Sequence, residues 1–198
     1  KLMLKKIMFL WLVLTSCLSL SAEDGSKLWL RYDAVNKAKV SGPECLAAEE
    51  LRTYYQGEQA TLVIDPSIAD DDGYCITGHT VRAKTEHGLL YGAYALLRGE
   101  QGYSAPYFRL RILNHWDNLD GSIERGYAGK SIFWSLDEDG QCSAIKTPLI
   151  REYARANASI GINGAVLNNV NASPKILSPL YINKVKEIAD ILRPYGIK

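Results

Sequence analysis

Between residues 27 and 98, apolar positions switch repeatedly between strand-like and helix-like spacing. Residues 28–32 read as a short strand, and Pro43 stands at a natural helix start. Beyond it Ala47, Leu51, Tyr54 and Tyr55 fall on one face of an amphipathic helix that Gly57 can end. Thr61 to Ile64 form a β-branched run stopped by Asp65-Pro66, and Asp70-Asp71-Asp72-Gly73 turns the chain into a strand pair over 74–84 broken at Gly78. Leu89, Ala93 and Leu96, with Leu90 and Leu97 beside them, predict a second helix. Such a pattern describes a small α/β layer with helices on one face of a sheet.

Residues 99–106 read as a linker, and the grammar then changes. Phe108, Leu110 and Ile112 alternate as a strand ending near Asn114. A long polar segment follows, then a helix over 149–160 with Ile150, Tyr153 and Ala154 inward. Ala165-Val166-Leu167 is a short buried strand after the Gly161–Gly164 break. Tyr181, Val185, Ile188, Ala189 and Leu192 mark a further helix that Pro194 and Gly196 close before Ile197. This βαβα order belongs to parallel sheets. A (β/α)8 barrel takes about 250 residues, so the segment is either a small doubly wound domain or the opening of a barrel.

Composition narrows the class. The chain has 198 residues, 47% hydrophobic and 23% charged, with 23 basic against 22 acidic side chains. That is a globular balance without the strongly basic surface that holds nucleic acid. Lys5 and Lys6 precede an apolar run over 7–14 that continues through Ser16, Ser19 and Ser21 to Ala22, the build of a secretory signal over residues 1–22. A retained anchor is the other reading, although a spanning helix needs about 20 mostly apolar residues. Leu14-Thr15-Ser16-Cys17 also resembles a bacterial lipobox, which would leave Cys17 lipidated. Cys45, Cys75 and Cys142 are too widely spaced for a zinc ribbon. They are either buried thiols or include one disulfide, Cys45 with Cys75.

The densest chemistry follows the strand at Ile112: Asn114, His115, Trp116, Asp117, Asn118, Asp120, Glu124 and Arg125. Loops beyond the carboxyl ends of parallel strands form the active face of α/β proteins. An aromatic plate among carboxylate, amide and imidazole groups suits a sugar. The competing reading makes Trp116 core and Asp117 a turn cap. Asn168, Asn169 and Asn171 follow the next strand on the same expected face, for hydroxyl recognition or simply for a turn with side-chain hydrogen bonds. Gly129-Lys130-Ser131 imitates the end of a phosphate loop, but position 124 is Glu124 where the first glycine is required. His79, His87 and His115 show no metal-ligand spacing. The acidic runs at Asp70–Asp72 and Asp137-Glu138-Asp139 read as solvated turns. Among the acids, Asp117, Asp120 and Glu124 lie where catalysis is plausible.

Asn114-His115-Trp116-Asp117-Asn118-Leu119-Asp120-Gly121-Ser122-Ile123-Glu124-Arg125-Gly126-Tyr127-Ala128-Gly129 resembles the glycoside hydrolase family 67 α-glucuronidases. Gly161-Ile162-Asn163-Gly164 and Leu167-Asn168-Asn169-Val170-Asn171-Ala172 are similar to the same family's second barrel strand. The resemblance implies a small N-terminal α/β sandwich domain over 23–105, then the first units of a (β/α)8 TIM barrel over 106–198, with the rest of the barrel missing. It implies an exported enzyme, periplasmic or secreted, that hydrolyses the α-1,2 bond between glucuronic acid, or its 4-O-methyl form, and xylose. The substrates would be oligosaccharides from glucuronoxylan, cleaved with inversion and without metal or cofactor.

By that resemblance Trp116, Asn118, Arg125, Asn168, Asn169 and Val170 belong to the substrate-binding wall, with Arg125 either reading a carboxylate or pairing with Glu124 or Asp120. The catalytic acid and base would come from strands beyond residue 198. No nucleic acid is expected, no stable membrane partner unless Cys17 is lipidated, and the full-length protein has room for a homodimer. A non-catalytic carbohydrate-binding protein, a truncated remnant and a doubly wound domain for another ligand are the competing readings.

Overall fold

The computed structural model describes residues 32–198, so the expected leader, Cys17 and all but the last residue of the strand expected at 28–32 lie outside the described residues. Tyr32 itself is in no regular element. Strands β1 (Lys39–Ser41), β2 (Gln59–Ile64), β3 (Tyr74–Thr77), β4 (Thr80–Ala83) and β5 (Gly102–Ser104) form one sheet in the order β1-β2-β4-β3-β5. β1, β2 and β4 run parallel, while β3 is antiparallel to both β4 and β5. The β3–β4 pair turns at Gly78-His79, with Thr77 opposite Thr80. Leu62, Val81 and Ile76 are cross-strand neighbours and all three are buried, so one face of the sheet is apolar.

Helices α1 (Leu46–Tyr54) and α2 (Glu86–Leu97) pack against one another, and α2 lies on that face. α2 starts sharply because Thr85 caps it, its hydroxyl accepting the Gly88 N–H at 3.0 Å. Apolar residues surround α2, which buries Leu89, Leu90, Ala93, Tyr94 and Leu96.

β6 (Ile112–Asn114), α3 (Thr147–Ser159), β7 (Gly164–Val166) and α4 (Pro179–Leu192) make a parallel βαβ unit with a second helix. Ile112 faces Gly164 in the register, and a Cβ at residue 164 would stand 2.8 Å from Ile112 Cγ1, so the close approach needs glycine. A 3-10 turn, Arg193–Tyr195, ends α4, and Gly196 takes the left-handed conformation at φ +78°. The chain then runs beside β7. Lys198 donates to the Asn163 carbonyl at 3.1 Å and accepts from the Ala165 N–H at 2.9 Å, the hydrogen-bond pattern of a third parallel strand.

Residues 32–198 are one compact unit. Leu51 of α1, Tyr94 of α2, Ile150 and Ala154 of α3 and Ile188 of α4 share a single apolar cluster. Arg155 of α3 forks onto Glu50 of α1 at 2.6 and 2.7 Å and lies 4.1 Å from the centre of the Tyr54 ring. Asp72 receives Arg111 at 2.7 Å and Asn163 at 3.2 Å.

Two expectations need correction. The linker at 99–106 contains β5, an edge strand paired to β3. The strand expected from Phe108 shrinks to Ile112–Asn114 because the Arg111 N–H bonds the Asn163 side chain, not a neighbouring strand; Phe108 and Leu110 stay exposed. The acidic run at 70–72 is a turn with Asp70 and Asp71 exposed, and its carboxylates also have partners: Asp71 pairs with Lys84, Asp72 with Arg111, and Asp70 accepts from the Tyr103 hydroxyl. The second run, at 137–139, is exposed, and its turn is closed by Asp137 accepting the Asp139 and Gln141 N–H groups. Cys45, Cys75 and Cys142 are free, half-buried thiols, so the alternative of a Cys45–Cys75 disulfide falls away.

Candidate functional site

The last β6–β7 ladder contact is the His115 N–H to the Val166 carbonyl, at 3.0 Å. Beyond it the side chains diverge. His115 enters a cluster with Phe133 and Tyr153, all three rings edge to face at 5.0 to 5.4 Å, and its Nε2 stands 2.7 Å from the Tyr153 hydroxyl. Trp116 keeps 39% of its surface open. Asp117 is buried, with Oδ1 3.9 Å from His115 Nδ1. Burial pushes the His115 pKa below the ordinary histidine value, against a weaker upward pull from Asp117. Burial and the Asp117 charge raise that of Tyr153.

Residues 117–123 fold back on themselves, with Asp117 bridged to Ile123. Asp120 closes the turn by accepting the Ser122 N–H at 2.9 Å and its hydroxyl at 2.6 Å, which holds the Asp120 carboxyl below its usual range. The Asn118 amide donates to Ser122 Oγ at 3.0 Å and to the Glu124 carbonyl at 2.9 Å. From the other strand end, the Asn169 amide reaches the same carbonyl at 3.3 Å, and the Asn169 N–H bonds the Asp117 carbonyl at 2.7 Å. The two strand ends are therefore stitched together through Asp117 and Glu124.

Of the six residues expected in the binding wall, Trp116 and Val170 present open apolar surface, Val170 at 71% exposure. Asn118 and Asn169 have their amide donors engaged within the protein, and Asn169 Oδ1 also accepts the Asn171 N–H at 3.0 Å, the side-chain turn read as the alternative for this cluster. Asn168 is half-buried and donates to the Asn169 carbonyl at 3.2 Å. Arg125 is exposed and forms no ion pair among the described residues, so its pairing with Glu124 or Asp120 is not found. Pattern reading missed Phe133, Trp134 and Tyr153 as the backing of this site. Trp134 is fully buried, donating its ring N–H to the Leu167 carbonyl at 2.9 Å. The apolar trio Ile132-Phe133-Trp134 inside a polar segment was the available signal. No group of three or more His, Cys, Asp or Glu side chains among the described residues is arranged to hold a metal ion.

A parallel βα unit with an exposed tryptophan and asparagine-bearing loops at its strand ends makes this an α/β protein with its candidate site at the carboxyl ends of parallel strands. The chain belongs to glycosyl hydrolase family 67: the profile "Glycosyl hydrolase family 67 middle domain" matches residues 95–198. It is 43% identical over 143 residues to "Probable alpha-glucuronidase A" of Neosartorya fischeri, covering 65% of this chain and 16% of that protein. "Alpha-glucuronidase A" of Aspergillus tubingensis is 42% identical over 141 residues, with the same shares of 65% and 16%. The chain thus spans about a sixth of the length of these curated relatives. Its fold is similar to CpGH84B (TM-score 0.50, 14% identity, 82% of this chain and 32% of that one). It is also similar to a "GH138 enzyme targeting pectin rhamnogalacturonan II" (TM-score 0.50, 13% identity, 81% and 30%).

Proposed function

We propose that this chain is part of an exported α-glucuronidase that removes glucuronic acid, or its 4-O-methyl form, from the α-1,2 linkage to xylose in oligosaccharides from glucuronoxylan. Residues 1–22 are its leader, 23–105 a small α/β domain, and 106–198 the opening of a (β/α)8 barrel. The observation that carries the reading is that, in a family 67 chain, Trp116 after β6 and Asn168 to Val170 after β7 occupy the same carboxyl ends of parallel strands. Sequential order of β6, β7 and Lys198, which hydrogen-bonds beside β7, is compatible with a barrel.

Hydrolysis is inverting in this proposal. A protonated carboxyl gives its proton to the leaving xylose oxygen while a carboxylate on the opposite face activates water, the two standing roughly 6.5–9.5 Å apart. Both come from the chain after Lys198. Residues 106–198 supply the aromatic surface and the loop floor that orient the sugar.

The test is to give the full-length protein 4-O-methylglucuronosyl xylotriose and follow the reaction by proton NMR. Release of the uronic acid first as its β-anomer is the expected result. A first-formed α-anomer overturns inversion, and binding without release leaves a carbohydrate-binding protein.

A further inference from the structure

We propose that the cavity at the amino-terminal ends of β6 and β7 is a binding site for a sugar that carries a carboxylate. The choice of a uronic acid as that sugar rests on the glycosidase reading; the cavity and its charges do not.

The cavity measures about 730 Å³, the size of a small-molecule site. Asn163 precedes β7, and Arg109 and Leu110 precede β6, so it opens at the strand ends opposite to those that carry Trp116 and Val170. Its wall joins two distant segments, the 70–72 turn and residues 106–110, with Lys84 and Lys198 beside them. Most charges there are matched. Asp71 pairs with Lys84 at 2.7 Å, and Asp72 pairs with Arg111 at 2.7 Å while accepting the Asn163 amide. Three groups stay available. Arg109 and Lys198 are exposed and form no ion pair among the described residues. Both face the turn: the Asp71 carboxyl is held below its usual range by its hydrogen bond with Lys84 and that charge, with further pulls from Arg109 and Lys198. Asp70 accepts the Tyr103 hydroxyl on Oδ2 at 3.2 Å, and its Oδ1 has no partner among the described residues.

Two unpaired cations and one spare acceptor fit a ligand with a single negative charge and hydroxyl donors. A neutral sugar leaves both cations unmet, and a phosphate dianion meets repulsion from Asp70 where a hydroxyl would donate. Pro106 and Leu110, the latter 66% exposed, offer apolar contact to a pyranose face, and Tyr103, tethered to Asp70, keeps 56% of its surface open at the rim.

The experiment is hydrogen exchange of the full-length protein, read by mass spectrometry, with sodium glucuronate as the probe. Segments 66–75 and 102–111 should be protected by glucuronate and not by xylotriose or inorganic phosphate at equal concentration and ionic strength. Arg109→Gln alters one exposed side chain and should melt with the wild type, yet raise the Kd read from this protection at least fivefold. Trp116→Ala should leave the protection of these segments as it is, because Trp116 stands at the other strand ends. Equal protection by phosphate means a general anion site and overturns the saccharide assignment, and no protection by glucuronate overturns the site itself. A protein that shows the protection but does not cleave 4-O-methylglucuronosyl xylotriose removes the glycosidase reading and supports the site.

Discussion

His115 carries the residue-scale argument because burial and charge act on it in opposite directions. Asp117 and Tyr153 are the titratable groups that face it, and burial is the larger effect, lowering its pKa. A histidine whose folded pKa lies below its unfolded value, about 6.5, stabilises the fold fully above that value and loses the contribution as pH falls through it towards the folded pKa. Urea midpoints measured from pH 7.5 to 5 should therefore fall more steeply for the wild type than for His115→Gln. If the wild type instead gains on the variant as pH drops, attraction to Asp117 outweighs burial. Trp116, the next residue, keeps its open face, and Trp116→Ala should lower kcat/KM at least tenfold, about 1.4 kcal/mol of transition-state stabilisation. Unchanged kinetics in a folded variant would take Trp116 out of the site.

At the scale of elements, Glu50 and Arg155 join α1 to α3 across 105 residues of sequence. Glu50 is 5% exposed, yet in the run Ala48-Glu49-Glu50-Leu51 it reads as an ordinary helix-surface acid, because its partner lies on an element with no local link to it. Glu50→Ala strands the Arg155 guanidinium in a largely buried place and should cost about 3 kcal/mol, the low end for breaking a buried pair. Glu50→Leu with Arg155→Met should recover most of that loss in calorimetry; equal losses in single and double variants would mean that packing, not charge, holds the contact. The same distinction explains what the sequence made legible. All four described helices stood out because Ala47 and Leu51, Leu89 and Ala93, Ile150 and Ala154, and Ile188 and Leu192 are apolar pairs at helical spacing that depend on no distant partner. β5, with every residue exposed, and the shortened β6 were opaque because ladder partners define them and local pattern does not. At the site, Trp116 and Val170 were placed in the binding wall by the family resemblance, local pattern having left core as an open reading for Trp116, and both present open surface. The consumption of the Asn118 and Asn169 amides was not legible, since it follows from where Glu124 carries its carbonyl.

At the scale of the molecule, the described residues cover their two sheets unequally. The first has its apolar face under α1 and α2, whereas β6 and β7 have helices on one side and open surface on the other. Ile112 and Val166, which share a face through the register, are 47% and 42% exposed, and Leu110 is 66% exposed. A cavity of about 750 Å³ lined by Leu167, Val185, Leu192 and Ile197 lies along the same edge. Contiguous apolar surface beside an unpaired strand edge invites association. Residues 32–198 produced alone should therefore bind anilinonaphthalene sulfonate and elute as oligomers, with weak amide protection over 109–198. If the proposed barrel follows, the dye signal should vanish in the full-length protein and the β7 amides should exchange slowly, because further strands would cover the face. A monomeric, dye-silent 32–198 piece with one sharp thermal transition would show that this face needs no cover, and would favour a self-sufficient domain over the start of a barrel.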